Sequence, residues 1–433
     1  MGSQNLRQPV RPETPEEGLI TWTILGTWVF WLGGLLYVVG AALAYILLLM
    51  AAARVLGLDA PSRRVRAPPP AVIAWIAGML AMAVALVIAH IDADLGVFVL
   101  VKSFIGWMKG WALLAVYPLA GAMLSIRPEI ISRATGLLAL QTLVLVPLFL
   151  MAPVLGLPKD LYVSPLNELI GTGKEFFEVS LFSMDDSTGR ARFRFFAPWS
   201  TAAAFAAGLG LVLALHERRI AWRVTGIAAT FIVCWMSGSR LSVVALPLTM
   251  ILVFSLANLT RPSLWVAIAA AATLSILMLD DVVYAYQDAN EAFNAARAAS
   301  SRVRTALGNI AVHRWWTEAP IFGHGILDPG GHVVERMLIG SHHTWWGLLF
   351  VKGAVGFLGL AVPLGWSFIE LIAKAQRDRV ARVGLGILIS IALFSLGDNI
   401  EIVAYLIWPS LVFLGVAFRR RLVFPTASLL SAR

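Results

Sequence analysis

The chain has 433 residues, of which 59% are hydrophobic and 14% charged, and its mean hydropathy is +0.80. Soluble domains average about 45–50% apolar and about 25% charged residues, so these totals exclude an ordinary soluble globular protein. The single cysteine, Cys234, excludes a disulfide framework and a Cys-rich zinc site. The composition, with a net charge of +9, predicts an integral membrane protein.

Apolar runs of about 20 residues recur along the chain, which is the length that an α-helix needs to cross a bilayer. A transmembrane β-barrel would instead show alternating segments of about 10 residues. The sequence therefore predicts an all-α fold, a polytopic transmembrane helical bundle. The runs are 19–53, 71–90, 95–124, 135–151, 203–215, 224–236, 241–256, 263–279, 343–372, 383–394 and 402–416.

The first run has Gly33 and Gly34 near its middle and is longer than one span requires. It forms either one long span or two short ones, which gives a total of eleven or twelve. No Walker A sequence, GxGxxG opening a helix, or HExxH is present, so an ATP-driven pump, a dinucleotide enzyme and an intramembrane zinc protease lack their main signals.

Lys and Arg are concentrated in alternate short loops, which hold 17 of the 34 basic residues. The positive-inside rule places such loops in the cytoplasm. The positive charge then faces anionic lipid, so membrane lipid is an expected partner and nucleic acid is not. The two long polar segments, 152–200 and 280–341, fall on the opposite side. We expect the function there, because long loops in compact proteins usually have one.

These patterns divide the chain into successive regions. They are an N-terminal tail near the cytoplasm (1–18), N-terminal spans (19–151), the first polar segment (152–200), central spans (201–279), the second polar segment (280–341), C-terminal spans (342–418) and a cytoplasmic tail (419–433).

Arg240 lies in a break between two apolar runs, within Ser-Gly-Ser-Arg at residues 237–240. It begins the next predicted helix, where a cation is unfavourable without an anion because the helix N-terminus is the positive end of the dipole. Backbone N–H groups, the Ser239 hydroxyl and the guanidinium together suit a phosphate. The alternative is an arginine that reaches the lipid headgroups.

Histidines cluster in or just after the second polar segment. These are His313, His324, His332, His342 and His343. Their spacing matches no helical i, i+4 pair, and zinc needs three or four ligands, so neither a metal nor another cofactor is predicted. His342 and His343 directly precede an apolar helix, a placement that suits a general base. The alternative is an interfacial histidine beside two tryptophans.

Other charged residues stand in or near the apolar runs. Alternating arginines on the polar segments bind either an anionic substrate or headgroups; they are Arg190, Arg192, Arg194, Arg302 and Arg304. Asp398 and Glu401, in the last outer turn, are interpreted as solvated loop residues, with orientation of a base or a sugar as the alternative. Snorkelling explains the lysines that interrupt apolar runs, which are Lys102, Lys109 and Lys352.

Three stretches resemble segments of the bacterial O-antigen ligase and O-antigen polymerase family, which are polytopic membrane glycosyltransferases. Ser-Gly-Ser-Arg-Leu at 237–241 is similar to the family's small-residue-Ser-Arg step between two spans. Residues 316–325 are similar to its Glu-x-Pro-hydrophobic-Phe-Gly-x-Gly segment. Residues 341–346, followed by Gly-Ala-Val-Gly at 353–356, resemble its His-Asn segment, helix and Gly-x-x-Gly turn. The order and spacing agree over about residues 190–420.

The resemblance implies a glycosyltransferase-C-like fold in the bacterial inner membrane, with its active face in the periplasm. The implied donor is an undecaprenyl-diphosphate-linked oligosaccharide, used without metal or nucleotide. Ligases transfer the glycan to lipid A core, and polymerases transfer it to another lipid-linked repeat unit. Both reactions belong to the biosynthesis of lipopolysaccharide or exopolysaccharide, so other polysaccharide-assembly membrane proteins are candidate partners.

The resemblance also implies roles for individual residues. Arg240 would bind the diphosphate, His342 would act on the acceptor hydroxyl, and Arg302 or Arg304 would make a second phosphate contact. Candidates for support are Ser239, His343 and Arg194. His343 stands where the family usually has Asn, so the choice between the two histidines stays open, with His342 favoured by alignment. A direct displacement would invert the anomeric carbon, and no pair of carboxylates suggests a covalent intermediate.

Two alternatives remain at this stage. The motifs do not separate a ligase from a polymerase. A transporter or flippase for lipid-linked oligosaccharide is the alternative of a different class, and it would need intramembrane charges around a central cavity and often internal repeats. The sequence shows no convincing repeat, and the candidate residues lie at one face.

Overall fold

A computed structural model describes residues 10–58, 67–171, 173–185, 189–295, 298–334, 337–341 and 343–420. The chain is 73% helical with almost no sheet. The helices of the first half are α1 (Pro15–Leu25), α2 (Thr27–Leu32), α3 (Leu36–Val55), α4 (Pro70–Asp92), α5 (Val97–Lys109), α6 (Leu113–Met123), α7 (Pro128–Val154), α8 (Leu166–Ile170) and α9 (Ser200–Ala214). Those of the second half are α10 (Ile220–Ser237), α11 (Arg240–Leu256), α12 (Pro262–Leu277), α13 (Leu279–Ala295), α14 (Ala298–Glu318), α15 (Thr344–Ala375), α16 (Arg379–Ser395), α17 (Ile400–Val403) and α18 (Trp408–Phe418).

Every predicted apolar run coincides with one or more of these helices. Among the described residues, five helices, α3, α4, α7, α10 and α15, are long and apolar enough to cross a membrane. The number rises to seven if the bent pairs α5–α6 and α12–α13 each form one span. The chain is therefore an all-α bundle suited to a membrane, and the total of eleven or twelve crossings stays a prediction.

The first apolar run folds back on itself at Gly34. Gly34 adopts φ +63° between α2 and α3, and a Cβ added there would lie 2.4 Å from the Ser164 Cβ. Glu16 and Arg54 flank the beginning and the end of the same run, and the Arg54 guanidinium binds the Glu16 carboxylate at 2.8 Å. The two ends therefore meet at one face of the bundle while the glycines lie at the opposite face. The run therefore folds back on itself, and within it α3 is the described helix that is long and apolar enough to cross a membrane. The choice between one span and two stays a prediction.

Basic loops meet at one face, which we call the basic face and define by Arg54, Arg127, Arg133, Arg379 and Arg419. Their partners come from other helix ends: Arg133 binds Glu217 with two bonds of 2.8 Å, Arg379 donates to the Leu215 carbonyl, and Arg419 donates to the Leu124 carbonyl. Buried or partly buried ions need such partners. The alternation of basic loops read from the sequence therefore corresponds to one physical face.

The second polar segment is mostly helical, whereas we expected a long loop. On α14, Val303, Leu307 and Ala311 are buried against a small core that includes Phe350 of α15. Their i, i+4, i+8 spacing places them on one side of the helix. A short hairpin pairs β5 (Asp328–Pro329) with β6 (Leu338–Ile339).

The first polar segment contains two small antiparallel hairpins, which depart locally from the all-α prediction. One pairs β1 (Asp160–Val163) with β2 (Glu178–Ser180), and the other pairs β3 (Ser183–Met184) with β4 (Ala191–Arg192). Phe177 and Val179 are fully buried, so this segment packs onto the bundle.

Close contacts between α6 and α18 hold the centre of the bundle. A Cβ added to Gly121 would lie 2.0 Å from the Val412 carbonyl oxygen, and one added to Gly415 would lie 2.0 Å from the Pro118 carbonyl oxygen. Small residues allow helix backbones to approach in this way inside membranes. α18 is buried along most of its length.

Helix α15 is interrupted at Gly353, where φ is +61° and ψ is −161°. The loop at residues 320–325 fills the gap. The N–H groups of His324 and Gly325 donate to the carbonyls of Phe350 and Val351, both at 2.9 Å. From the other side of the break, the N–H groups of residues 354 and 355 donate to the carbonyls of residues 320 and 321 at 2.9 and 3.1 Å. Backbone groups freed by the break are thus paired, as a buried position requires.

We predict that Gly353→Ala lowers the thermal stability of the purified protein in detergent. The added Cβ would lie 2.3 Å from the Ile321 carbonyl oxygen, and alanine disfavours the positive φ. A strained residue of this kind costs about 1–3 kcal/mol. Gly365→Ala, in the same helix with no atom within 4 Å of the added Cβ, is the matched control and should leave the melting temperature nearly unchanged. Equal melting temperatures for both variants would show that the break does not need a glycine.

Candidate functional site

The turn between α10 and α11 places Arg240 at the start of a helix, as the sequence predicted. Gly238 ends α10 in the left-handed conformation, with φ +58°. Ser239 caps α11, and its side chain accepts from the Ser242 N–H at 3.4 Å and the Ser242 hydroxyl at 3.0 Å. The half-buried Arg240 follows as the first residue of α11. The turn therefore brings a guanidinium and a helix N-terminus together.

Arg192 supports this turn from the first polar segment. Its Nε donates to the Ser237 carbonyl at 3.0 Å, and the Phe193 N–H donates to the Met236 carbonyl at 3.1 Å. A cation at the carboxyl end of α10 also matches the negative end of the helix dipole. Arg192 lies 3.7 Å from the Asp185 carboxylate. We infer that it holds the turn in place.

Arg194, a candidate for a supporting role, is occupied by acidic side chains. Its guanidinium binds Glu178 at 2.7 Å and lies 3.5 Å from Asp160. It also donates to the Pro198 carbonyl at 3.0 Å. Two carboxylates offset its charge, so its contacts tie the hairpin segment to the start of α9.

The turn that follows α16, at residues 396–399, is where the candidate motifs meet. The exposed Arg304 of α14 donates through Nη1 to the Gly397 carbonyl at 2.8 Å. A Cβ added to Gly397 would lie 3.0 Å from the Leu241 side chain, next to Arg240. The N–H and hydroxyl of Thr344, at the start of α15, donate to the Asp398 carbonyl at 3.2 and 2.7 Å. This turn thus joins the beginnings of α11 and α15 to α14.

Asp398 is buried with 7% exposure, so its interpretation as a solvated loop residue is wrong. The Trp199 indole N–H donates to its Oδ2 at 3.0 Å, and the Asn399 N–H donates to its Oδ1 at 2.9 Å. Burial raises the pKa of the carboxyl, while the Asn399 hydrogen bond, the Arg304 charge and the Trp199 hydrogen bond oppose the shift. Glu401, which follows in α17, is half-buried.

His343 caps α15 and uses both ring nitrogens. Its Nδ1 accepts from the N–H groups of Trp345 and Trp346 at 3.2 and 3.4 Å, which assigns the proton to Nε2. The ring stacks on Trp346 with centroids 4.1 Å apart. Burial lowers the pKa of His343, a hydrogen bond with the Leu396 backbone opposes that shift, and the Arg304 charge adds to it. The geometry gives His343 a positioning role, and His342 lies outside the described residues.

The structure brings Arg304, rather than Arg302, to His343. Both arginines are exposed on α14. Residues two apart on a helix face different directions. Arg304 lines a cavity of about 160 Å³ together with Gly308, His343 and Trp346. Arg302 is not part of that lining.

A second, larger cavity of about 920 Å³ adjoins the first. Gly340 and Gly347 line both cavities. The larger one extends past Ser341 and Thr344 to α5 and to the turn that carries Glu401. Clefts of about 300–1,000 Å³ are the usual size of small-molecule sites. The two cavities together form the candidate functional site.

Lys352 is a residue of this site that the sequence analysis misinterpreted. It is buried, with 4% exposure, and lines the larger cavity, so it does not snorkel to a headgroup. The break at the next residue and the loop at 320–325 enclose it. A lysine directly before a Gly-x-x-Gly step inside an apolar run was the signal in the sequence.

Histidines of the second polar segment do not gather into a metal site in the part of the chain that the structure describes. No group of three or more His, Cys, Asp or Glu there could hold a metal ion. His324 instead binds Glu318 through Nε2 at 2.8 Å, and Arg314 binds the same carboxylate. Hydrogen bonds from Arg314 and His324 lower the pKa of Glu318 to about 2. A reaction independent of metal stays a prediction.

No protein-family model matches the chain, and no curated protein matches it significantly. The resemblance to the O-antigen ligase and polymerase family therefore depends on the three motifs.

We predict that acidification destabilises the protein through His343 and that His343→Asn weakens this dependence. Because the pKa of His343 is lowered, the folded chain binds fewer protons than the unfolded chain below the ordinary value of 6.5. Stability should then decrease as the pH falls below 6.5. Asparagine keeps the N-cap acceptor and does not titrate. Thermal unfolding between pH 7.5 and 5 tests this, and parallel curves for the two proteins would contradict it.

Proposed function

We propose that the protein is a membrane glycosyltransferase of surface polysaccharide assembly. It transfers an undecaprenyl-diphosphate-linked glycan either to lipid A core or to a lipid-linked repeat unit. The observation that supports this most is the meeting of two of the three motifs with Arg304 of α14. The α11 start with Arg240, the α15 start with His343, and Arg304 of α14 surround the turn at residues 396–399 beside two adjoining cavities.

The proposed chemistry needs cations and a base. The bond from the anomeric carbon to the diphosphate oxygen breaks while a bond to the acceptor oxygen forms. Arg240 and Arg304 stabilise the charge that develops on the leaving diphosphate. His342 takes the proton of the acceptor hydroxyl. His343 fixes the start of α15 next to it. One displacement inverts the anomeric configuration.

The proposed location is the bacterial inner membrane, with the basic face in the cytoplasm. Arginines on the basic face support this orientation through the positive-inside rule. The turn at residues 396–399 and both polar segments then face the periplasm, where lipid-linked glycans are used by the family that the motifs resemble.

A flippase for lipid-linked oligosaccharide is the second candidate, and one observation favours it. The larger cavity lies beside an interrupted helix, α15, and beside the bent pair α5–α6. Interrupted helices flank the substrate sites of many transporters. A flippase would move lipid-linked glycan between the leaflets of vesicles without changing the length of the glycan.

The experiment that tests the function uses purified protein with undecaprenyl-diphosphate-linked repeat units, first alone and then with lipid A core. We expect a ladder of glycans from repeat units alone for a polymerase, or a product only with lipid A core for a ligase. Arg240→Ala should abolish either product. Arg240→Lys should restore only part of the activity, because lysine cannot make a bidentate phosphate contact.

Arg302→Ala is the matched control, since Arg302 is exposed on α14 outside the smaller cavity. It should retain most of the activity, and Arg304→Ala should lose much of it. Full activity of Arg240→Ala would contradict the phosphate-binding role. Movement of unchanged glycan across vesicles, with no product in either reaction, would favour the flippase.

Separate roles for the two histidines predict different defects. His342→Ala should reduce the turnover number by a factor of about 100 or more, the contribution of a general base, with little change in melting temperature. His343→Ala should lower the melting temperature, because it removes the cap of α15. His343→Asn should recover that stability. Equal and mild losses of turnover in both alanine variants would contradict the assignment of His342 as base.

A further inference from the structure

Lys352 is a buried cation that, among the described residues, has one electrostatic partner. Its exposure is 4%, and it lines the 920 Å³ cavity. Glu401, which also lines the cavity, is the charge that acts on it. Within the described ranges no hydrogen bond joins the Lys352 ammonium to a protein acceptor. A buried ammonium is costly unless anions and hydrogen-bond acceptors surround it. The site can therefore accept a further acidic group.

Lys352 and Glu401 each lie beside a break in the helices. α15 breaks at Gly353, directly after Lys352, and α5 and α6 meet at an angle of 40° near Gly110. A Cβ added to Gly110 would lie 2.5 Å from the Glu401 Cγ, so the break allows Glu401 to approach. Irregular backbone at membrane depth occurs where it lines a cavity. Both breaks therefore lie beside the part of the cavity that Lys352 and Glu401 line.

Helix α5 forms the outer wall of the cavity. Lys102 and Lys109 both line it, and their seven-residue spacing places them on one side of α5. None of the α5 residues is buried, and Val97 and Phe98 are 76% and 84% exposed. A single helix with an apolar outer surface therefore separates the cations of the cavity from the surrounding lipid.

Other residues that line the cavity are acidic or aromatic. Glu168 and Glu175 of the first polar segment line the cavity together with Trp199. Carboxylates and an indole suit the hydroxyl-rich part of a ligand, whereas the three lysines suit its acidic part. The cavity lining therefore combines charged, polar and apolar groups, as an amphiphile does.

We propose that this cavity binds an acidic amphiphile, with its phosphate or carboxylate on Lys352 and its hydrocarbon chain along α5. The acidic group competes with Glu401 for the ammonium. This cavity adjoins the one that Arg304 and His343 line, and the claim concerns binding alone. It therefore stands or fails independently of glycosyl transfer.

Native mass spectrometry and titration of the full chain in phosphatidylcholine nanodiscs test this. The probes are lysophosphatidic acid, dodecanoate, monoolein as the uncharged amphiphile, and inorganic phosphate as the anion without a chain. We expect the two acidic amphiphiles to bind at least tenfold more tightly than monoolein or inorganic phosphate. Lys352→Met should weaken their binding at least tenfold, and Lys352→Arg should keep most of it.

Two further variants complete the test. Lys374→Met changes another buried lysine of α15, which instead donates to Glu370 and the Phe418 carbonyl, and it should leave binding unchanged. Glu401→Gln should tighten binding of the acidic amphiphiles because it removes the competing carboxylate. If Lys352→Met does not fold, this variant still tests the proposal. Equal binding to wild type and Lys352→Met overturns the proposal. Weaker binding to Glu401→Gln, or inorganic phosphate bound as tightly as lysophosphatidic acid, also overturns it.

Discussion

The break in α15 is the constraint on which the candidate site depends. Four backbone groups would be unpaired at Gly353 in an apolar interior, and the loop at residues 320–325 pairs them. That loop can approach only because glycine stands at both positions of closest contact, Gly323 and Gly353. With the loop in place, Lys352 is enclosed, and the first part of α15 is held at a fixed angle. The same loop is the motif that resembles the ligase and polymerase family, so its sequence has a structural reason apart from any catalytic one.

Arg304 has different surroundings from the buried arginines of the basic face. On the basic face, Arg133 and Arg54 are buried in pairs with Glu217 and Glu16, and these pairs link helix ends that are distant in the chain. Removing one partner from such a pair leaves a buried charge, so we interpret them as structural. By contrast, Arg304 is exposed and donates to a carbonyl oxygen. A carbonyl is a weaker partner than a carboxylate, which leaves this guanidinium suited to a phosphate.

Much of the fold could be predicted from the sequence, because membrane helices are selected by length and polarity alone. Every apolar run became helical, and Gly33 and Gly34 marked the turn between α2 and α3. The position of Arg240 at a helix start followed from the same reasoning. Asp398 and Lys352 were misinterpreted because their burial depends on partners far away in the chain, Trp199 and the loop at residues 320–325. The helical state of α14 was missed because its apolar side has few residues and faces a core supplied by another helix.

The wall between the two cavities explains how one site could accommodate two ligands. It consists of Gly340, with φ +89°, and Gly347, which both cavities share. A Cβ added to Gly347 would lie 2.4 Å from the Gly340 carbonyl oxygen, so the two backbones are in direct contact there. Arg304 and His343 line one cavity and Lys352 lines the other. Groups bound in the two cavities would therefore lie in adjoining spaces. A reaction that joins two lipid-linked molecules needs this proximity, whereas a flippase for one lipid does not.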